Sequence, residues 1–250
     1  MNIKLLWVFA ITVFLSSCKS HYRIVDMQGE IIEIDSTFDS NPNTDLHNLV
    51  ISYKTQLDSE MNVPIGTSVS IMEYRRPESL LTNLTSDVMK EFGDEHLPDG
   101  ADIGVMNVFG HRATMPKGTI TVGNLFEIYS FDNTITLLDL KGSDLKKMFD
   151  AYARIGGAGI SSNVKLIIED RKVKSVSVDN LPINNEKIYK IVTLDYLAEG
   201  NDNMSAFRNA ISVNNTGITL RDIMIEWVKE QTRMGKEIES VVDGRITIIE

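Results

Sequence analysis

The feature that most constrains the fold of this chain is the irregular order in which two hydrophobic periods follow one another. Helical spacing marks residues 45–61, where Leu46, Val50, Tyr53 and Leu57 recur behind an N-cap at Thr44 or Asp45. Alternation predicts a strand over 67–72. Helical spacing returns over 78–92, with Leu80, Leu81, Leu84, Val88 and Met89 on one face and Pro77 at the first turn. A strand over 102–108, a short helix over 122–128 and a strand over 134–140 come next, then a helix capped by Ser143 and running to Ile155. Strands over 164–169 and 173–178 are joined by a turn at Asp170-Arg171, and a strand over 189–194, a helix over 220–232 and a strand over 245–249 complete the series. Helices and strands are mixed without regular β-α-β alternation. The expected fold is therefore α+β, a mixed-sheet domain with helices, over residues 44–250.

Residues 1–17 read as a secretory leader. Lys4 supplies the positive region, and Leu5 to Leu15 is apolar apart from Thr12. That run is shorter than the ~20 apolar residues of a spanning helix. Its end, Leu15-Ser16-Ser17-Cys18, resembles the lipobox of bacterial lipoproteins, in which the cysteine thiol is acylated. The resemblance implies a lipid on Cys18, with residues 18–43 as anchor and tether. It also implies an exported protein held on a bacterial cell membrane and facing the periplasm. Cys18 is the only cysteine, so no internal disulfide is possible.

The chain is 42% hydrophobic and 24% charged, the balance of a globular protein. Its formal net charge of −10 argues against a nucleic-acid polymer as partner, which would require a basic face. The histidines, His21, His47, His96 and His111, show no metal-ligand spacing. Neither a Gly-x-Ser-x-Gly elbow nor a P-loop is present. This inventory supplies no candidate catalytic residue and no cofactor site.

Three loops that follow or precede strands combine polar, aromatic and glycine residues. They are Met106 to Arg112, Tyr129 to Asn133, and Asp195 to Asp202. Arg112 could pair a phosphate or carboxylate bidentately. Phe131 and Tyr196 could clamp a flat ring, and Asn133 and Asp202 could hydrogen-bond to base or ribose edges. The same residues also fit core aromatics at strand ends, a surface arginine and ordinary glycine turns. The helix over 220–232, with Ile223, Ile225, Trp227 and Val228, reads as core-packing.

The segment from about Gly66 to Ala210 resembles the C-terminal, substrate-recognising domain of 5′-nucleotidases and UDP-sugar hydrolases. The family's Asn-Ser-Gly-Gly-Ile-Arg is similar to Asn107-Val108-Phe109-Gly110-His111-Arg112. Its Thr-x-Gly-(Asp/Asn)-(Leu/Val)-Phe-Glu is similar to Thr121-Val122-Gly123-Asn124-Leu125-Phe126-Glu127. Pro-Phe-Gly-Asn, Leu-x-Gly-x-x-Leu and a glycine pair appear as Ser130 to Asn133, Leu140 to Leu145, and Gly156-Gly157. Asp-Phe-Leu-Ala-x-Gly-Gly-Asp resembles Asp195 to Asp202, and the helix motif Glu-Thr-Asn-Leu-Gly-Asn-Leu-x-x-Asp resembles Glu78 to Asp87. The resemblance implies that Phe131 and Tyr196 stack on a base and that Asn133 and Asp202 bind base or ribose. It also implies phosphate held by Arg112 and Arg75, close approach at Gly157, and Asn107 and Gly110 as parts of the substrate loop.

Three departures stand out. Phe109 and Asp132 each replace a glycine of the family pattern, and Ile71 replaces its second upstream arginine, with Arg76 as a substitute. The family's metallophosphoesterase domain, which carries divalent metals and the hydrolysis, has no counterpart in residues 19–65. The expectation is the nucleotide- or nucleoside-recognising part of a split 5′-nucleotidase, completed by a separate metallophosphoesterase chain and inactive alone. The alternatives are a non-catalytic nucleotide-binding lipoprotein and a degenerate structural adaptor.

Overall fold

The computed structural model describes residues 22–37 and 43–249. The leader and Cys18 lie outside the described residues. Two units divide the chain, one ending at Val50 and one beginning at Ile51. In the first, residues 22–37 are exposed and contain neither α-helix nor strand. Helix α1 (Thr44–Met61) forms where its spacing predicts, but it buries none of its residues, and Leu46, Val50, Tyr53 and Leu57 stand exposed.

The second unit is α+β, as expected. Its elements are β1 (Pro64–Ser68), α2 (Leu80–His96), β2 (Ile103–Met106), β3 (Gly118–Thr121), α3 (Val122–Ile128), β4 (Thr134–Lys141) and α4 (Gly142–Ile155). Then come β5 (Gly159–Ile160), β6 (Val164–Glu169), β7 (Lys172–Val178), β8 (Leu181–Pro182), β9 (Ile188–Leu194) and α5 (Asp195–Ala198). The last are β10 (Ser212–Thr219), α6 (Leu220–Arg233) and β11 (Ile246–Ile249). A mixed five-stranded sheet runs β10-β4-β9-β2-β5, with β2 and β9 parallel and the other pairs antiparallel. A four-stranded sheet runs β11-β6-β7-β8, and β1 pairs with β3.

Helix α2 buries Leu81, Leu84, Val88, Met89 and Phe92 against β2, β5 and β9. Helix α4 packs against strands of both larger sheets. In β4 the residues from Ile135 to Leu138 are all buried, so that strand is covered on both faces. Each such apolar side chain contributes about 1.5–3 kcal/mol relative to exposure.

Three local expectations are corrected. Pro77 precedes the N-cap, which is Ser79; Ser79 and Thr82 exchange side-chain and backbone hydrogen bonds in a capping box. Ser143 does not cap α4, because the helix leaves β4 directly at Lys141. Its first free N–H groups, on Gly142 and Ser143, donate instead to the carbonyls of Lys187 and Asn185. The strand expected over 67–72 is displaced to Pro64–Ser68 by pairing with β3, and only Met72 forms a bridge beyond it, to Met115.

Candidate functional site

Strand directions bring five loops to one end of the five-stranded sheet. Parallel pairing of Ile103 with Ile191 places the C-terminal ends of β2 and β9 side by side. Antiparallel pairing of Ile135 with Leu194 sets the start of β4 beside them, and Met106 with Gly159 adds the start of β5. The loops 107–112, 129–133, 156–158 and 195–203 therefore converge. Segment 74–77 joins them, since Arg76 Nε donates to the Gly157 carbonyl at 2.9 Å. The sequence-selected loops are thus neighbours, which their separation along the chain does not reveal.

Phe131 is 48% exposed and Tyr196 40% exposed, although each adjoins a strand that buries its apolar residues. The Arg112 guanidinium lies 5.6 Å from the centre of the Phe131 ring, within cation–π range, and is itself exposed. Thr134 Oγ1 donates to Asp195 Oδ2 at 2.9 Å and ties the two aromatic-bearing loops together.

Asp202 is the hub of the third loop. Its two carboxylate oxygens accept from Asn107 Nδ2 at 2.6 Å and from the Tyr196 hydroxyl at 3.1 Å. Asp202 thereby raises the Tyr196 phenol above its ordinary pKa. A carboxylate offers about four acceptor positions, so Asp202 keeps capacity for a ligand hydroxyl or N–H. Asn107 Oδ1 is buried and without a partner among the described residues. A Cβ on Gly110 would come within 2.6 Å of that oxygen, so a larger residue there would push the Asn107 side chain aside. Asn133 is half-buried, and its carbonyl accepts from the Leu220 amide at 3.0 Å.

Gly157 has φ +99°, and a Cβ there would lie 2.6 Å from the Pro77 carbonyl oxygen. Its close approach is therefore to the Arg76-Pro77 segment. Arg75 is exposed, and its side chain has no hydrogen bond or ion pair among the described residues.

Sequence reasoning missed the supports of these loops. Arg221, at the start of α6, donates to Asp132 Oδ1 at 2.5 Å and to the Tyr129 carbonyl at 3.1 Å, and lies over Phe126. The carboxylate that departs from the family glycine is thus charge-matched from the next helix. Beneath the 107–112 loop, the buried His111 Nε2 meets Thr85 Oγ1 at 2.9 Å, and the Tyr129 hydroxyl meets the same oxygen at 2.7 Å. His111 Nδ1 faces the Val108 carbonyl at 3.0 Å. Burial lowers the His111 pKa to about 4.

Both ring nitrogens of His111 are engaged, His96 stacks on Phe92, and no group of three or more His, Cys, Asp or Glu among the described residues is placed to hold an ion. Among the described residues no helix is long and apolar enough to cross a membrane.

Comparison with known proteins places the chain in a family. A family model described as "5′-nucleotidase, C-terminal domain" matches residues 56–209. Trifunctional nucleotide phosphoesterase protein YfkN of Bacillus subtilis is 27% identical over 236 residues, covering 86% of this chain and 16% of that protein. A 5′-nucleotidase of Diplobatis ommata is 29% identical over 206 residues, 71% of this chain and 34% of that one. The crystal structure of a 5′-nucleotidase precursor from Thermus thermophilus superposes with a TM-score of 0.72 at 25% identity, covering 82% of this chain and 43% of that one. The chain spans less than half the length of each of these proteins. With more than half of its residues inside the family match and the expected loops gathered at one sheet end, the chain belongs to the 5′-nucleotidase C-terminal domain family.

Proposed function

We propose that this domain binds a nucleotide or nucleoside in the loop cluster, and that a separate metallophosphoesterase chain carrying divalent metals supplies the hydrolysis. The base stacks between Phe131 and Tyr196. Asn133 and Asp202 take its polar edges or the ribose, and Arg112 takes the phosphate. One observation carries this reading: two half-exposed rings project from adjoining loops at the same sheet end, beside the exposed Arg112 guanidinium, which has no hydrogen bond or ion pair among the described residues. Apolar rings held out of the core beside unspent donors suit a flat, anionic ligand.

Calorimetry of the purified chain with adenosine, AMP and a UDP-sugar tests the reading. Phe131→Ala is expected to weaken binding by about 1–3 kcal/mol, the worth of one base–aromatic stack. Unchanged affinity in this variant would remove the stacking site. The chain alone is expected to release no phosphate from AMP with added divalent metal, and turnover at an enzymatic rate would refute the division of labour. The same reading holds the domain outside the cytoplasm through a lipid on Cys18. Palmitate labelling is expected in the bacterial host and should vanish in Cys18→Ala; labelling that persists would place the lipid elsewhere.

A further inference from the structure

We infer that the groove between α2 and α6 is a docking surface for a cationic amphipathic helix of a partner protein, one whose apolar stripe is bordered by lysine or arginine. The inference is independent of the nucleotide reading, because none of the residues that line the groove belongs to the loop cluster.

Each helix spends one face on the core: α2 buries Leu81, Leu84 and Met89, and α6 buries Leu220, Met224 and Val228. Where the two helices pack together, their outer faces leave a cavity of about 580 Å³. Its lining joins the buried Val88, Phe92 and Ile223 to Ile218 and Met234, which are 39% and 49% exposed. A second cavity of about 380 Å³ shares Val88, Glu91 and Trp227 with the first and adds Leu84 and Val241. Trp227 therefore stands between two apolar hollows. Its Nε1 donates to Glu91 Oε2 at 2.8 Å, which pins the indole of α6 across to α2. A fixed tryptophan between apolar hollows is the kind of residue that anchors a protein interface.

The charge of the rim selects the occupant. Glu91, Glu95, Asp222, Glu226 and Glu230 line the larger cavity against one cation, Arg233, and Glu239 lines the smaller. Arg233 is already paired with Glu230, and Lys229 with Glu226. The side chains of Glu95, Asp222 and Glu239 have no hydrogen bond or ion pair among the described residues. An anionic membrane or a nucleic acid would be repelled by this rim. A neutral apolar helix would strip water from the carboxylates and return no partner. A cationic amphipathic helix meets both demands: its apolar side chains enter the hollows beside Trp227, and its flanking cations reach the free carboxylates. Length agrees, since the lining runs from Asp222 to Arg233 on α6 and from Leu84 to Glu95 on α2, about three helical turns on each.

The test uses a synthetic leucine–lysine peptide of about 18 residues with leucines at helical spacing. Its controls are the same leucine pattern with glutamate in place of lysine, and the leucine–lysine composition in scrambled order. Calorimetry on the whole chain is expected to show binding of the patterned leucine–lysine peptide alone, weakened by added salt. Trp227→Ala should weaken it by about tenfold or more. The combined change Glu95→Gln, Asp222→Asn and Glu239→Gln should weaken it in the same direction. The matched change Asp150→Asn, Asp170→Asn and Glu186→Gln, which removes three exposed carboxylates elsewhere, should leave it within about twofold. In a Trp7→Phe background, Trp227 emission should shift to the blue as the peptide displaces water. Thermal melts confirm that each variant is folded. Equal weakening by the two sets of charge changes, or binding of the scrambled peptide as tight as that of the patterned one, reduces the effect to general charge attraction and overturns the inference. Peptide bound with an unchanged Trp227 spectrum places it elsewhere and overturns it too, as does the absence of binding. None of these outcomes bears on the nucleotide site.

Discussion

Replacing Arg245 by methionine is expected to cost the domain about 3–5 kcal/mol of folding stability, the usual penalty for breaking a buried ion network from one side. The Arg245 side chain is only 2% exposed. Its Nη1 and Nη2 donate to Asp87 Oδ1 and Oδ2 at 3.1 and 3.0 Å. Nε and Nη2 donate to the two oxygens of Asp243 at 3.0 and 3.1 Å, and Nη1 also reaches the Ile160 carbonyl at 2.9 Å. The guanidinium's five N–H donors are thus all used. Glu78 stands 4.0 Å away, itself accepting from Asn83 Nδ2 and the Gly244 amide. Removing the cation leaves three carboxylates facing one another, with Glu78 buried and Asp243 and Asp87 partly exposed. Methionine keeps much of the volume, so lost packing would not account for the effect. Urea unfolding at neutral pH should show the deficit, and melting should drop by about 10 °C for a domain of this size. A loss below about 1 kcal/mol would mean that water and surface relaxation carry the charges, as at an exposed pair.

That network also shows what the sequence conceals. The helix motif from Glu78 to Asp87 is recognisable as a pattern, but its physical purpose lies far along the chain. Glu78 and Asn83 hold Gly244 and the Val241 carbonyl, and Asp87 holds Arg245 and the Ser162 amide. Nothing in local periodicity connects residue 87 with residue 245. Elements whose pattern is strong and local were readable: α3 and β6 form over the residues expected, and the Asp170-Arg171 turn has both residues at positive φ. Strands whose hydrogen bonds come wholly from distant partners were not. β10, Ser-Val-Asn-Asn-Thr-Gly-Ile-Thr, is a polar edge strand recruited by β4, and β3 exists because β1 pairs with it. The converse also occurs: α1 has the helical stripe but leaves it exposed. At the site, the three loops were legible because aromatic, glycine and amide residues cluster in them. Their supports were not, since Arg221, Thr85 and Tyr152 sit in ordinary helical contexts and gain their roles through packing alone.

The second large effect is acid sensitivity, and it acts beneath the 107–112 loop. His111 lies between Gly110 and Arg112 and is buried against Tyr74, Tyr129 and Thr85. Its Nδ1 lies 3.0 Å from the Val108 carbonyl and its Nε2 lies 2.9 Å from Thr85 Oγ1, which donates to the Leu81 carbonyl and also meets the Tyr129 hydroxyl. Burial lowers the pKa from 6.5 to about 4. The unfolded chain therefore takes up a proton below about pH 6.5 that the folded chain refuses until about pH 4. Stability is complete above that window and falls as pH drops through it, by about 2 kcal/mol at pH 5 and about 3 kcal/mol by pH 4. The carboxylates held below their ordinary range, Asp144 and Asp243, lose their contribution only below that window, so the two acid limbs separate. Equilibrium unfolding at stepped pH should show the decline in the unmodified chain, and His111→Gln should flatten the limb between pH 6.5 and 4. An identical slope in the variant would assign the proton elsewhere. The folded ring takes up its proton only near pH 4, so the folded chain's ligand affinity should hold down to about that pH while stability already declines.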